Sequence, residues 1–250
     1  MKFKATLTSM ITAFVLLPLL AICAQAQVTV NESAKTYGCL ANGNSTASIK
    51  QAYVNTGWKE LDDAMLEDIG ALDKAFGVNV SVYFLNDGAE NAFFTAQKFP
   101  ALMRADGINP NTPVTGSMFI DAALLKKEFK ETGGSGMSIP AIMAHEFAHG
   151  MQHSNNFPYS GKWQELHADF MAGWFIAVRG IFRPQNPNQA WISISEKGDY
   201  EFFDEGHHGT PQERAEAFAT GFLLLSQGKV VSSANAYNLG IQYLRNKGAR

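Results

Sequence analysis

The chain of 250 residues is 46% hydrophobic and 17% charged, with a formal net charge of −3. That balance belongs to a folded globular protein with enough chain for an apolar core, and it excludes a disordered segment or a basic nucleic-acid-binding surface. Two cysteines exclude a disulfide-stapled scaffold.

The first 26 residues are a different material. Lys2 and Lys4 make a positive start, residues 11–23 are apolar apart from Thr12 and Pro18, and Ala24-Gln25-Ala26 has the small-x-small form of a cleavage site. The apolar run is shorter than the roughly 20 residues a spanning helix needs. The sequence therefore predicts an export signal removed before Gln27, leaving a periplasmic or secreted protein with no membrane span. Cys23 is preceded by the bulky Ile22 rather than a small residue, which argues against a lipoprotein. Cleavage removes two lysines and no acid, so the formal charge moves from −3 to −5. Cys39 remains as the single cysteine of the mature chain, with no zinc role expected for it.

Residues 27–55 are rich in Ser, Thr, Asn and Gly and predict a loosely ordered N-terminal arm, followed by a single domain over residues 56–250. Leu61, Met65, Ile69, Leu72 and Phe76 recur at helical spacing with acids opposite them, and Gly77 is placed to stop that helix. Val78, Val80, Val82 and Phe84 alternate as in a half-buried strand, and Asn86-Asp87-Gly88 turns the chain. Short strands are predicted over 91–95 and 117–120 and a helix from about 122 to 129, with Pro100, Pro110 and Pro113 punctuating an irregular segment between them. The strand at 117–120 is the candidate edge against which an extended peptide could pair; the alternative is an ordinary sheet strand.

Ser138 to His153 predicts a helix: Ser138 as N-cap, Pro140 in the first turn, and Ile142, Met143, Phe147 and Met151 to bury. Gly133, Gly134 and Gly136 make the loop ahead of it. Its centre reads His145-Glu146-Phe147-Ala148-His149. Residues four apart share a helix face, so both imidazoles can reach one Zn²⁺, while Glu146 sits beside the ion as a base for water that the metal acidifies.

A catalytic zinc needs a third protein ligand. His153 is eight residues beyond His145, too far along the axis to share the ion. Asn155 occupies the place where a third histidine would complete another known arrangement. A helix over 163–178, with Trp163, Leu166, Phe170 and Trp174 along one stripe, puts Glu165 and Asp169 on one face. Glu165 can bind zinc while Asp169 accepts a hydrogen bond from a ligand histidine; the alternative is an acidic helix surface. Further on, Thr210-Pro211-Gln212-Glu213 forms a capping box for a helix with Phe218, Phe222 and Leu225. It leaves His207 and His208 just ahead, where one could hydrogen-bond an oxyanion; His208 is the preferred candidate, a surface histidine the alternative. Arg214 is expected to anchor a carboxylate.

The segments HEFAH, ELHADFMAGW and HHGTPQERAEAF together resemble the glutamate-zincin metallopeptidases. Two branches are similar: the bacterial neutral zinc metallopeptidases, and the soluble relatives of the CaaX-processing membrane proteases. Asn91-Ala92-Phe93 ahead of the strand–helix unit 118–125 is similar to the second. The resemblance spans residues 80–222. It implies an α+β, zincin-like fold and one Zn²⁺ held by His145, His149 and Glu165. It also implies Glu146 as catalytic base and hydrolysis of a peptide or protein substrate by a protein that is monomeric by default. Only 15 residues separate His149 from Glu165, which leaves little room for an inserted subdomain. A different class, a zinc-dependent binding or chaperone-like module with little turnover, is disfavoured by the intact Glu146, because a structural ion needs no base.

Overall fold

In the computed structural model, which describes residues 27–36, 46–133, 136, 138–180, 208–226 and 231–250, the chain begins with two strands, β1 (Gln27–Lys35) and β2 (Thr46–Tyr53). They pair antiparallel, with a register shift between Thr29 and Glu32 where Asn31 takes a positive φ of 51°. Within the segment expected to be a loose arm, residues 27–35 and 46–53 are ordered sheet instead. Val28, Val30, Ile49 and Ala52 supply an apolar face, and the polar residues between them line the exposed one. The predicted signal at 1–26, together with Cys39 and His207, lies outside the described residues.

Helix α1 (Lys59–Phe76) ends at Gly77 in the left-handed conformation, and Asp73 accepts from the Val80 amide to start the next strand. Then come β3 (Val80–Leu85), β4 (Ala92–Thr95), the short helix α2 (Pro100–Ala105), β5 (Gly116–Asp121) and α3 (Ala122–Glu131). Helix α2 falls in the segment expected to be irregular; Pro100 opens it, because a proline in the first turn forfeits no helical hydrogen bond. Asp121 closes β5 and caps α3, its carboxylate accepting from the Ala123 amide.

The sheet runs β1-β2-β3-β5-β4, with β3 and β5 parallel and the other neighbours antiparallel. This corrects two expectations. The strand at 117–120 is interior, hydrogen-bonded on both sides, and the edge beside it is β4. And β3 is buried on both faces, all six residues of it, because each face meets a core. Val80, Val82, Phe84, Phe94, Met118 and Ile120 pack on the helical side, while Tyr83, Phe93 and Phe119 pack with Phe99, Leu102 and the hairpin residues Ile49 and Ala52.

Four further helices complete the described residues: α4 (Ile139–Ser154), α5 (Lys162–Arg179), α6 (Pro211–Ser226) and α7 (Ser233–Asn246). The fold is therefore mixed α+β, five strands and seven helices among the described residues. Ser138 is already helical at φ −77°, ψ −23° and makes no side-chain cap, so α4 starts through backbone bonds from Ile139 to Gly136 and from Ala141 to Ser138. No helix among the described residues is long and apolar enough to cross a membrane.

Helix α4 lies against the sheet and against α5, and α5 in turn carries α6. The α5–α6 contact is backbone to backbone: a Cβ on Gly173 would run into the carbonyl of Phe218, and one on Gly221 into the carbonyl of Phe170. No rotamer change relieves a clash with backbone. Gly221→Ala should therefore lower stability by about 3 kcal/mol or more, read as a fall in the denaturant midpoint. Gly70→Ala, in the exposed part of α1 with nothing near its would-be Cβ, should raise it by about 0.5–1 kcal/mol. Equal, small effects from both would show that the two helices do not approach so closely.

Candidate metal centre

His145 and His149 project from one face of α4 toward the start of α5, where Glu165 stands in the first turn. The four-residue spacing and the short connection between the helices bring three side chains to one point. The Nε2 atoms of His145 and His149 are 3.1 Å apart; Glu165 places Oε2 3.2 Å from His145 Nε2 and Oε1 3.5 Å from His149 Nε2. All three residues are buried: His145 is 5% exposed, Glu165 2%, His149 0%.

The other nitrogen of each ring faces an oxygen. His145 Nδ1 is 2.8 Å from Asp169 Oδ1, and His149 Nδ1 is 2.8 Å from Gln152 Oε1. With each Nδ1 donating to that oxygen, both Nε2 lone pairs converge on a carboxylate in a buried space. Three electron pairs so placed repel one another unless a cation lies among them. Bonds of about 2.0–2.1 Å at tetrahedral angles put ligand atoms about 3.3 Å apart, and the observed separations match that. This buried group of His145, His149 and Glu165 could hold a metal ion.

Asp169 is fixed from its far side by Arg214, in the first turn of α6. Arg214 donates from Nε to Oδ2 at 2.7 Å and from Nη2 to Oδ1 at 2.8 Å, a bidentate pair with Arg214 1% and Asp169 0% exposed. Burial pushes Asp169 up, but Arg214 and then His145 outweigh it, and the carboxyl is held below its ordinary value. Glu165 is likewise well below its ordinary value despite burial, because the histidines and Arg214, whose Nη2 is 3.9 Å away, act against it. Burial lowers His149 to about 4, so it is neutral at pH 7.

Glu146, next in sequence to His145, is 3% exposed. The backbone amide of Phe94 on β4 donates to its carboxylate, and its Oε2 is buried with no hydrogen-bond partner among the described residues. Burial is the main cause of a rise to about 7, with Glu165 adding to it and His145 and Arg214 opposing. A buried carboxylate oxygen without a donor is costly, and it is accounted for if the space beside it belongs to a ligand or a water.

The capping box of α6 is present, Thr210 N donating to Glu213 Oε2 and Glu213 N to Thr210 Oγ1. It sets where Arg214 enters the core. His208, just ahead, is half-buried and is not one of the converging groups; His153 is exposed at the far end of α4. Gln152 and His167 escaped the sequence reading. Gln152 shares a face with His149 three residues on, a spacing that was visible, but an amide carries no motif. His167 lies between Glu165 and Asp169 in sequence yet turns toward α7, where its Nε2 is 3.1 Å from the Tyr237 carbonyl.

Removing Arg214 strands a buried anion. Arg214→Met should cost about 3–5 kcal/mol, and adding Asp169→Asn to it should recover part of that loss, which a double-mutant cycle by urea denaturation measures. Strictly additive losses would mean that the two groups do not act as a pair. The chain was also compared with protein-family models, with curated proteins and with solved structures, and none of the three comparisons found a match.

Proposed function

We propose that this protein is an exported zinc metallopeptidase of the zincin-like kind, with His145, His149 and Glu165 as the ligands of one Zn²⁺ and Glu146 as the catalytic base. The observation that carries the reading is Glu146: a buried carboxylate with an unpartnered oxygen and a pKa raised to about 7, one residue from a three-ligand cluster. A structural ion needs no such group. When bound, zinc supplies Lewis acidity, polarising a carbonyl and acidifying water.

The remaining chemistry belongs to the chain. Glu146 takes the proton of the attacking water and returns it to the leaving nitrogen. Asp169 and Gln152 hold the ligand rings. His208 is proposed to donate a hydrogen bond to the oxyanion from the loop ahead of α6. The substrate backbone pairs along β4. Asp121 N donates to Asn91 O, so in this antiparallel pair residues 91, 93 and 95 face β5, while the backbone groups of Ala92 and Phe94 face the edge. The Phe94 amide reaching Glu146 agrees with that alternation.

Glu146→Gln keeps shape and loses the proton acceptor, so zinc content should stay near one per chain while peptide hydrolysis falls by several orders of magnitude. Glu165→Ala should lose both metal and activity. His208→Ala should lower kcat by about 10²- to 10³-fold and spare zinc. Wild type and Glu146→Gln that bind zinc and are equally inert toward a broad peptide library would favour the binding-module reading instead.

For export, mass spectrometry of the protein recovered outside the cytoplasm should give an N-terminus near Gln27. A lipid-modified Cys23 as first residue would overturn that cleavage site.

A further inference from the structure

His149 is joined to α7 by a chain of three hydrogen bonds whose polarity is set at its ends. Gln152 is 1% exposed in the last turn of α4. Its amide has three neighbours: the Gln164 carbonyl 2.8 Å from Nε2, His167 Nδ1 3.2 Å from Nε2, and His149 Nδ1 2.8 Å from Oε1. A backbone carbonyl can only accept. The atom facing Gln164 is therefore the NH₂, the atom facing His149 is the oxygen, and the flipped amide is excluded because it would set two acceptors against each other. His149 Nδ1 must then carry the proton, and its Nε2 offers a lone pair.

The far end obeys the same rule. His167 Nε2 faces the Tyr237 carbonyl at 3.1 Å and so donates. Its Nδ1 is left to accept the second N–H of Gln152. Each of the three side chains is buried with donors and acceptors matched, and none needs a charge. The ring of His167 is further held by Phe157 and Tyr237, with centroids 4.5 and 4.8 Å away, and α7 approaches it at Gly240, where a Cβ would come within 2.8 Å of His167 Cδ2.

We infer that Gln152, oriented by His167 and the Gln164 carbonyl, is the positioning residue that fixes His149 as the Nδ1-protonated tautomer and turns its Nε2 lone pair to the ion. The inference rests on the metal-binding reading of the His145/His149/Glu165 group. It makes the two ligand histidines unlike. His145 is backed by a carboxylate that adds negative charge, and His149 by a neutral amide that supplies direction alone.

The test uses the full chain stripped of metal, with Zn²⁺ affinity read by competition with a chromogenic chelator and ring tautomers read by long-range ¹H–¹⁵N NMR of the histidines. Wild type should show His149 protonated on Nδ1 before any metal is added, and should bind one Zn²⁺. Gln152→Leu, similar in bulk and without the acceptor, should mix the His149 tautomers and weaken Zn²⁺ binding about 10- to 100-fold. Gln152→Glu, which keeps an oxygen facing Nδ1 but sets its other oxygen against the Gln164 carbonyl, should restore the Nδ1-protonated tautomer and recover only part of that affinity, and His167→Phe should give a smaller loss than Gln152→Leu. Unchanged affinity and tautomer in Gln152→Leu would overturn the inference and leave Gln152 as packing. So would an Nε2-protonated His149 in metal-free wild type, a readout that stands even if Gln152→Leu fails to fold. A wild type with the expected tautomer that binds no Zn²⁺ would overturn the metal reading, and the positioning role with it, while leaving the hydrogen-bond chain in place.

Discussion

The buried pair between Arg214 and Asp169 is the constraint on which the centre depends. Two charges withdrawn from water are tolerated only with good geometry and further hydrogen bonds. Here both Asp169 oxygens receive Arg214, and Oδ1 also faces His145. The pair joins α4, α5 and α6 at one point, and every part of that junction is prepared elsewhere. The Thr210–Glu213 box fixes where α6 begins, so Arg214 enters the core within its first turn. Gly173 and Gly221 let α6 approach α5 to backbone contact. A side chain at either glycine would separate the helices and with them the guanidinium from its carboxylate.

The sheet supplies the other constraint. Phe94, with no exposed surface, places its ring against Gly150 of α4 and its amide against Glu146. The residue that seals the core under the helix thus also holds the Glu146 carboxylate beside His145, His149 and Glu165. Because β4 is the edge of the sheet among the described residues, a hydrogen-bonding backbone and the acid meet in one place. This proximity follows from the strand order, in which β5 pairs with β3 and displaces β4 to the outside.

What could be read from the sequence was local. The four-residue spacings of His145 with His149 and Glu165 with Asp169 are properties of a helix, and the capping box and the Gly77 stop are chemistry within a single turn. What could not be read was pairing at a distance. The strands at 27–35 and 46–53 were obscured because only one of their faces is apolar and that face is partly small residues such as Ala34, Ala47 and Ala52. The interior place of β5 is decided by β3 and β4 together, and nothing within 117–120 encodes it. Helix α2 was hidden behind prolines, one of which begins it. The role of Gln152 becomes visible only when His167, fifteen residues on, is seen to turn toward it.

Charge bookkeeping gives the centre its direction. Arg214, Asp169 and Glu165 carry charge in this buried group, while burial lowers His149 to about 4 and raises Glu146 to about 7. Asp169, Glu165 and the carboxyl of Glu146 thus face Arg214 and two imidazoles in a low-dielectric interior, where unbalanced charge is costly. Arg214 gives two hydrogen bonds to Asp169 and stands 3.9 Å from Glu165. A divalent cation held by His145, His149 and Glu165 would add positive charge to that interior. It would also favour the ionised form of Glu146, so the event that fills the space between His145, His149 and Glu165 would also set the charge of the carboxylate beside it.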